Sequence, residues 1–93
     1  MSFELAFLEE AHKEWSKLDA HLREQFKNKL RERLLNPRVP GSKLSGHPDR
    51  YKIKLRSVGY RLVYEVRDAQ VLVVVVAVGK RDRNEVYRLA GQR

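Results

Sequence analysis

Ninety-three residues with a hydrophobic share of 42% make a single domain with one modest core. The chain has no cysteine, which excludes a disulfide-stapled scaffold and a thiolate metal site. Twenty Lys and Arg against twelve Asp and Glu leave a formal net charge of +8. Met1-Ser2-Phe3-Glu4 carries no basic stretch leading into an apolar run, so no secretory leader is expected. The longest apolar run, Val71 to Val78, falls far short of the ~20 residues a membrane helix requires. A soluble, cytoplasmic protein is the expectation.

The elements can be read in chain order. Phe3, Leu5 and Phe7 alternate with Glu4 and Ala6, the pattern of a short half-buried strand. Leu8, Ala11, Trp15 and Leu18 then recur at helical spacing and predict a helix over Leu8–Leu18. Asp19 is a candidate N-cap for a second helix, whose stripe is Leu22, Phe26, Leu30 and Leu34. Asn36-Pro37 ends it, because the residue before proline avoids the α region. Residues 37–50, with three prolines and two glycines, read as loop.

Beyond the loop the period becomes two. Tyr51, Ile53 and Leu55 alternate with Lys52, Lys54 and Arg56, and Ser57-Val58-Gly59 is a turn. In the next strand, about Tyr60–Arg67, Tyr60, Leu62, Tyr64 and Val66 share one face. Arg61, Val63, Glu65 and Arg67 share the other. Asp68-Ala69-Gln70 turns again. Val71–Val78, apolar on both sides, should be the central strand, ended by Gly79. Val86, Leu89 and Ala90 suggest a short C-terminal helix. The expected fold is α+β, in the order β-α-α-β-β-β-α. A small, mostly antiparallel sheet is covered on one face by the N-terminal helical hairpin. The valine strand then needs the C-terminal helix or a partner protein on its other face.

Charge divides the chain functionally. Residues 1–36 hold seven basic and seven acidic side chains, residues 37–93 thirteen and five, so the excess lies wholly in the second part. That asymmetry points to a polyanion-binding face. Lys52, Lys54 and Arg56 share one face of a strand, and the turn brings Arg61 within cross-strand reach of them. Like charges so placed repel, and an anion relieves the repulsion. Lys80, Arg81 and Arg83 follow the central strand, and Tyr87 lies four residues after Arg83. Arginine can grip two phosphate oxygens and an aromatic ring can stack on a base, so this set suits a phosphodiester beside a nucleobase. The competing reading is a solvated outer strand with edge-protecting lysines, and for Tyr87 a half-buried helix residue. Lys43, Arg50, Arg56, Lys80 and Arg83 are further candidates for RNA contact. His47, just before the basic strand, is a candidate substrate contact, whereas His12 and His21 flank apolar stripes and read as surface residues. No His-x-x-x-His pair, carboxylate cluster, phosphate-cradling glycine loop or serine elbow is present, so neither a metal nor another cofactor is expected.

The stretch from Tyr51 to Tyr64, YKIKLRSVGYRLVY, resembles the corresponding stretch of RelE toxins. Val78 to Tyr87, VGKRDRNEVY, resembles their C-terminal motif, and the likeness extends to Lys13-Glu14-Trp15 and Lys43-Leu44. The resemblance implies the RelE-like, microbial-RNase-like fold. It implies a type II toxin that cuts messenger RNA in the ribosomal A site and is neutralised by a cognate antitoxin. Its partners would be messenger and ribosomal RNA and that antitoxin, with operator DNA contacted through the antitoxin and no membrane. Carried over by position, it implies an active site of Lys52, Lys54, Arg61, Arg81 and Tyr87. The family often has arginine where this chain has Ser45, so His47 or Arg50 is left to take that contact.

The implied reaction is attack of a ribose 2′-hydroxyl on its own 3′-phosphate. Tyr87 or Lys52 would be the base, Arg81 would serve the leaving group, and Arg61 and Lys54 would hold the phosphoryl oxygens. So unconventional a set predicts slow catalysis without the ribosome to orient the substrate. Three other readings compete. The fold also resembles ParE toxins, which inhibit gyrase and are not nucleases. A non-catalytic RNA- or DNA-binding module would lack turnover, and a ribosome-associated structural protein would lack toxicity.

Overall fold

The computed structural model describes residues 2–80, 82 and 84–93. Its elements are β1 (Glu4–Phe7), α1 (Glu9–Ser16), α2 (Ala20–Leu35), β2 (Arg50–Leu55), β3 (Tyr60–Arg67), β4 (Leu72–Lys80) and α3 (Glu85–Gly91), in the expected order. The four strands form one sheet in the order β1-β4-β3-β2. β1 runs parallel to β4, and the other two pairings are antiparallel. The valine strand is therefore central, and β3 shares that position.

The hairpin face follows from the apolar stripes. Ala11 and Trp15 of α1 and Leu22, Phe26 and Leu30 of α2 pack with Tyr51, Ile53, Leu55, Leu62, Tyr64, Val73 and Val75 of the sheet. Asp19 caps α2 as expected, its carboxylate accepting from the Leu22 N–H at 3.0 Å. The first helix ends at Ser16, two residues short of the predicted Leu18, because the chain must straighten to place Asp19 in extended cap geometry. Leu18 is nevertheless buried in the core. The loop before β2 contains a single 3₁₀ turn, Pro40–Ser42.

One sequence expectation for β4 needs correction, and its register holds a further feature. Gly79 does not end the strand, which continues through Lys80 paired to Tyr60. The register also shifts between Val63 and Tyr64, which pair with Ala77 and Val75 and leave Val76 as a bulge. Val76 and Ala77 thus both serve the second core, formed with Val63 of β3 and Val86 and Ala90 of α3. The C-terminal helix covers this part of the valine strand.

Past the end of β1, the outer edge of β4 is capped by side chains. Glu14 accepts the Val78 N–H at 3.1 Å, and Arg93 donates to the Val76 carbonyl at 3.0 Å. The two side chains also form a two-pronged ion pair, with N–O distances of 2.9 and 3.0 Å. Among the described residues, no helix is long and apolar enough to cross a membrane.

Candidate active site

The antiparallel ladder fixes three cross-strand rows on the face away from the helical hairpin. Lys54 lies opposite Arg61, and Arg61 opposite Gly79. Lys52 lies opposite Val63, and Val63 opposite Ala77. Arg50 lies opposite Glu65, and Glu65 opposite Val74. Helix α3 runs across these rows. At one end a Cβ on Gly79 would lie 3.1 Å from the Val86 methyl. At the other end Arg50 donates to the Ala90 carbonyl. Tyr87, next to Val86, packs on the cluster around Val63 and Ala77, beside the row that begins with Lys52. The sheet and α3 therefore bring Lys52, Lys54, Arg61 and Tyr87 to one surface. Arg81 and Arg83 lie outside the described residues. Lys80 is exposed at the end of β4, and Arg56 at the end of β2.

Arg61 has the most unusual environment of the set. It is the one charged residue buried among the described residues, 7% exposed, and its cross-strand neighbour is another cation. Its Nη1 donates to the Tyr60 carbonyl at 3.0 Å, while its buried Nε has no hydrogen-bond partner. Guanidinium keeps its charge under all ordinary conditions, so burial cannot be relieved by losing the proton. A buried guanidinium with an unmatched donor is a local cost in the empty protein. An anion carrying several acceptor oxygens can accept from it.

Other members of the basic group have structural tasks. Arg50, a candidate RNA contact, is held by Glu65 at 3.0 Å and by the Ala90 carbonyl. Burial pushes the Glu65 carboxyl up, but hydrogen bonds from Arg67 and Arg50 more than offset this and hold it below the usual carboxylate range. His47 accepts the Asp49 N–H on Nδ1 at 3.2 Å, with Nε2 3.9 Å from Glu65. A cavity of about 270 Å³ is lined by Leu44, Ser45, Gly46, His47, Arg50 and Tyr87. Ser45 and His47 line the same cavity as Tyr87. Lys43 is exposed and bridges to Tyr51.

Sequence reasoning missed Arg33. From α2 it donates to the Lys52 carbonyl at 3.2 Å, to the Tyr64 hydroxyl at 2.8 Å and to Ser42 Oγ at 3.2 Å. Burial raises the Tyr64 pKa, keeping that hydroxyl protonated and able to donate to the Pro37 carbonyl at 2.6 Å. Arg33 therefore pins the edge of the basic strand to the hairpin. The only sequence signal was its place one turn after Lys29, on the same side of α2.

This geometry can be set beside known proteins. The family model described as the ParE toxin of type II toxin–antitoxin system, parDE, matches residues 5–85. The chain belongs to this toxin family. Within it, the toxin is of the RelE type. It is 57% identical over 93 residues to the mRNA interferase toxin RelE of Escherichia coli strain K12, covering 100% of this chain and 98% of that one. A double arginine-to-alanine variant of E. coli RelE in the free state superimposes with a TM-score of 0.92. That pair is 55% identical over 100% of the toxin and 98% of the other chain. The intact E. coli RelBE toxin–antitoxin complex matches with a TM-score of 0.85 and 56% identity, over 88% of the toxin and 100% of that chain.

Proposed function

We propose that this RelE-type toxin is an mRNA interferase, a ribosome-dependent endoribonuclease that acts in the cytoplasm, cleaves messenger RNA in the A site and is held inactive by a cognate antitoxin. The observation that carries the reading is Arg61, buried in the row it shares with Lys54, with its Nε left without a hydrogen-bond partner. Relatives named as mRNA interferases and a RelBE complex support the toxin–antitoxin setting.

The chemistry follows from the face. Lys54 and Arg61 hold the non-bridging oxygens of the scissile phosphate. Tyr87, on α3, would stack on the base or take the 2′-hydroxyl proton, with Lys52 the other candidate for that transfer; its packing beside the Lys52 row supports this reading. The 2′-oxygen bonds to phosphorus as the bond to the 5′-oxygen breaks. The products are a cyclic 2′,3′-phosphate and a 5′-hydroxyl that takes up a proton. Arg81 serves the departing oxygen. The substrate 2′-hydroxyl is itself the nucleophile, so the scheme needs no metal-activated water. Arg50, tied to Glu65 and α3, acts by holding the helix that carries Tyr87.

The ParE-type alternative, gyrase inhibition, gives no task to a buried arginine beside a row of cations with a tyrosine near it. Primer extension on translated messages, with and without ribosomes, tests the reading. Cleavage should require ribosomes. Arg81→Ala should slow single-turnover cleavage ~100- to ~1000-fold, while Lys80→Ala has a small effect. Tyr87→Phe should slow it if the hydroxyl is the base and leave it unchanged if the ring only stacks. Equal small losses for Arg81→Ala and Lys80→Ala would reduce the basic cluster to a binding surface.

A further inference from the structure

A second basic site lies on the other flank of the same strand. A cleft of about 250 Å³ opens between α2, the turn around Gly41 and Ser42, and the free edge of β2. Its charged lining is Lys29, Arg33, Lys52, Lys54 and Arg56, and no carboxylate lines it. Among the described residues, Lys29, Arg33, Lys52 and Arg56 form no ion pair. Arg33 spends its hydrogen bonds on neutral oxygens, so its full charge remains to act on the cleft. Lys29 and Arg33 are four residues apart on α2, a spacing at which like charges repel by about 0.2–0.5 kcal/mol. Two of these cations come from the half of the chain whose charges cancel on paper. Folding carries them across to the basic strand, where neither forms an ion pair among the described residues.

We propose that this cleft is a second phosphate-binding site, which takes a backbone phosphate of RNA other than the scissile one. The proposal rests on the ribonuclease reading and deepens it. Lys52 and Lys54 belong both to the cleft lining and to the rows of the candidate active site. The two sites are therefore continuous across the edge of β2. A strand held at Lys54 and Arg61 can pass over that edge and place a neighbouring phosphate between Lys29 and Arg56. A ribosomal RNA phosphate beside the message fits the same chemistry. Either source makes α2 part of the RNA surface.

The test compares two lysines of one helix. Lys29 lines the cleft, whereas Lys27, also exposed, points to a different side of α2 because residues two apart do not share a face. Affinities of wild type, Lys29→Gln and Lys27→Gln for vacant and for message-programmed ribosomes are measured across a salt series, with circular dichroism confirming the fold. Lys29→Gln should weaken binding several-fold and reduce the slope of log affinity against log salt by about 0.7–0.9, the share of one phosphate contact. Lys27→Gln should match wild type. A loss on both kinds of ribosome identifies a ribosomal RNA phosphate, and a loss on programmed ribosomes alone identifies a message phosphate. Equal behaviour of the two variants on ribosomes that wild type binds and cleaves overturns the cleft while sparing the nuclease reading. A wild type that neither binds nor cleaves overturns both.

Discussion

The two faces of the sheet are built to different standards. The face under α1 and α2 is an apolar core in which Phe26 and Tyr64 are wholly buried, and its polar atoms are matched, down to the Arg33–Tyr64–Pro37 chain of hydrogen bonds. The face under α3 holds a small cluster around Val63, Val76 and Ala77, covered by a helix of seven residues. Polar pins do much of the holding there, with Arg50 on Ala90 at one point and Arg93 on Glu14 at another. On that face Arg61 is buried opposite Lys54 with an unmatched Nε. Stability is concentrated on the first face. The second carries local costs that an RNA phosphate would relieve.

Truncation on the hairpin face should have the largest effect. Phe26→Ala removes a fully buried ring that packs against Trp15, and should cost about 3–5 kcal/mol in denaturant unfolding. Cleavage per folded molecule should be unchanged. If the rate fell with no loss of stability, the division between the faces would not hold.

A smaller effect is expected at the α3 contact. Gly79→Ala places a methyl 3.1 Å from a Val86 methyl, so Val86 must give by a few tenths of an ångström, and the strain passed to α3 should cost about 1 kcal/mol. Because α3 carries Tyr87, cleavage should fall more than the stability change explains. Wild-type cleavage by a fully folded Gly79→Ala protein would show that the position of α3 does not matter.

The smallest effect is tied to pH. Glu65 titrates below its ordinary range in the folded chain, held there by Arg67 and Arg50 against the opposing effect of burial. Its contribution is therefore present above the unfolded glutamate pKa and lost as pH falls through the lower folded value. The stability gap between wild type and Glu65→Gln should be steady near neutrality and close on acidification below about pH 4. A gap that widened with acid would reverse the sign of the linkage.

Much of this division was legible in the sequence. The Leu22-Phe26-Leu30 stripe and the alternation of Tyr51, Ile53 and Leu55 fix the hairpin core, because burial follows period directly. The same alternation placed Lys54 and Arg61 together once the short turn at Ser57–Gly59 set the register. The bulge at Val76 was hidden because every residue around it is apolar, so a slip in alternation leaves no mark. The parallel pairing of β1 with β4 joins residues nearly seventy positions apart, which no local pattern encodes. Nothing in the sequence beyond their spacing of four singled out Arg33 and Lys29, since their neighbours in the fold come from other elements. Arg50 looked like part of the RNA surface, while in the fold Glu65 and Ala90 occupy it.

The account stands most directly on Arg61→Met, measured twice, by denaturant unfolding and by single-turnover cleavage on programmed ribosomes. Methionine fills the space without a charge, so the repulsion from Lys54 and the orphaned Nε both disappear. Stability should hold or rise by about 1 kcal/mol, as when a buried charge is replaced by an apolar side chain, while cleavage falls ~100- to ~1000-fold. A protein that loses 2 kcal/mol or more, on the order of a lost structural hydrogen bond to a charged group, and still cleaves at the wild-type rate would make Arg61 a prop of the fold and contradict the account.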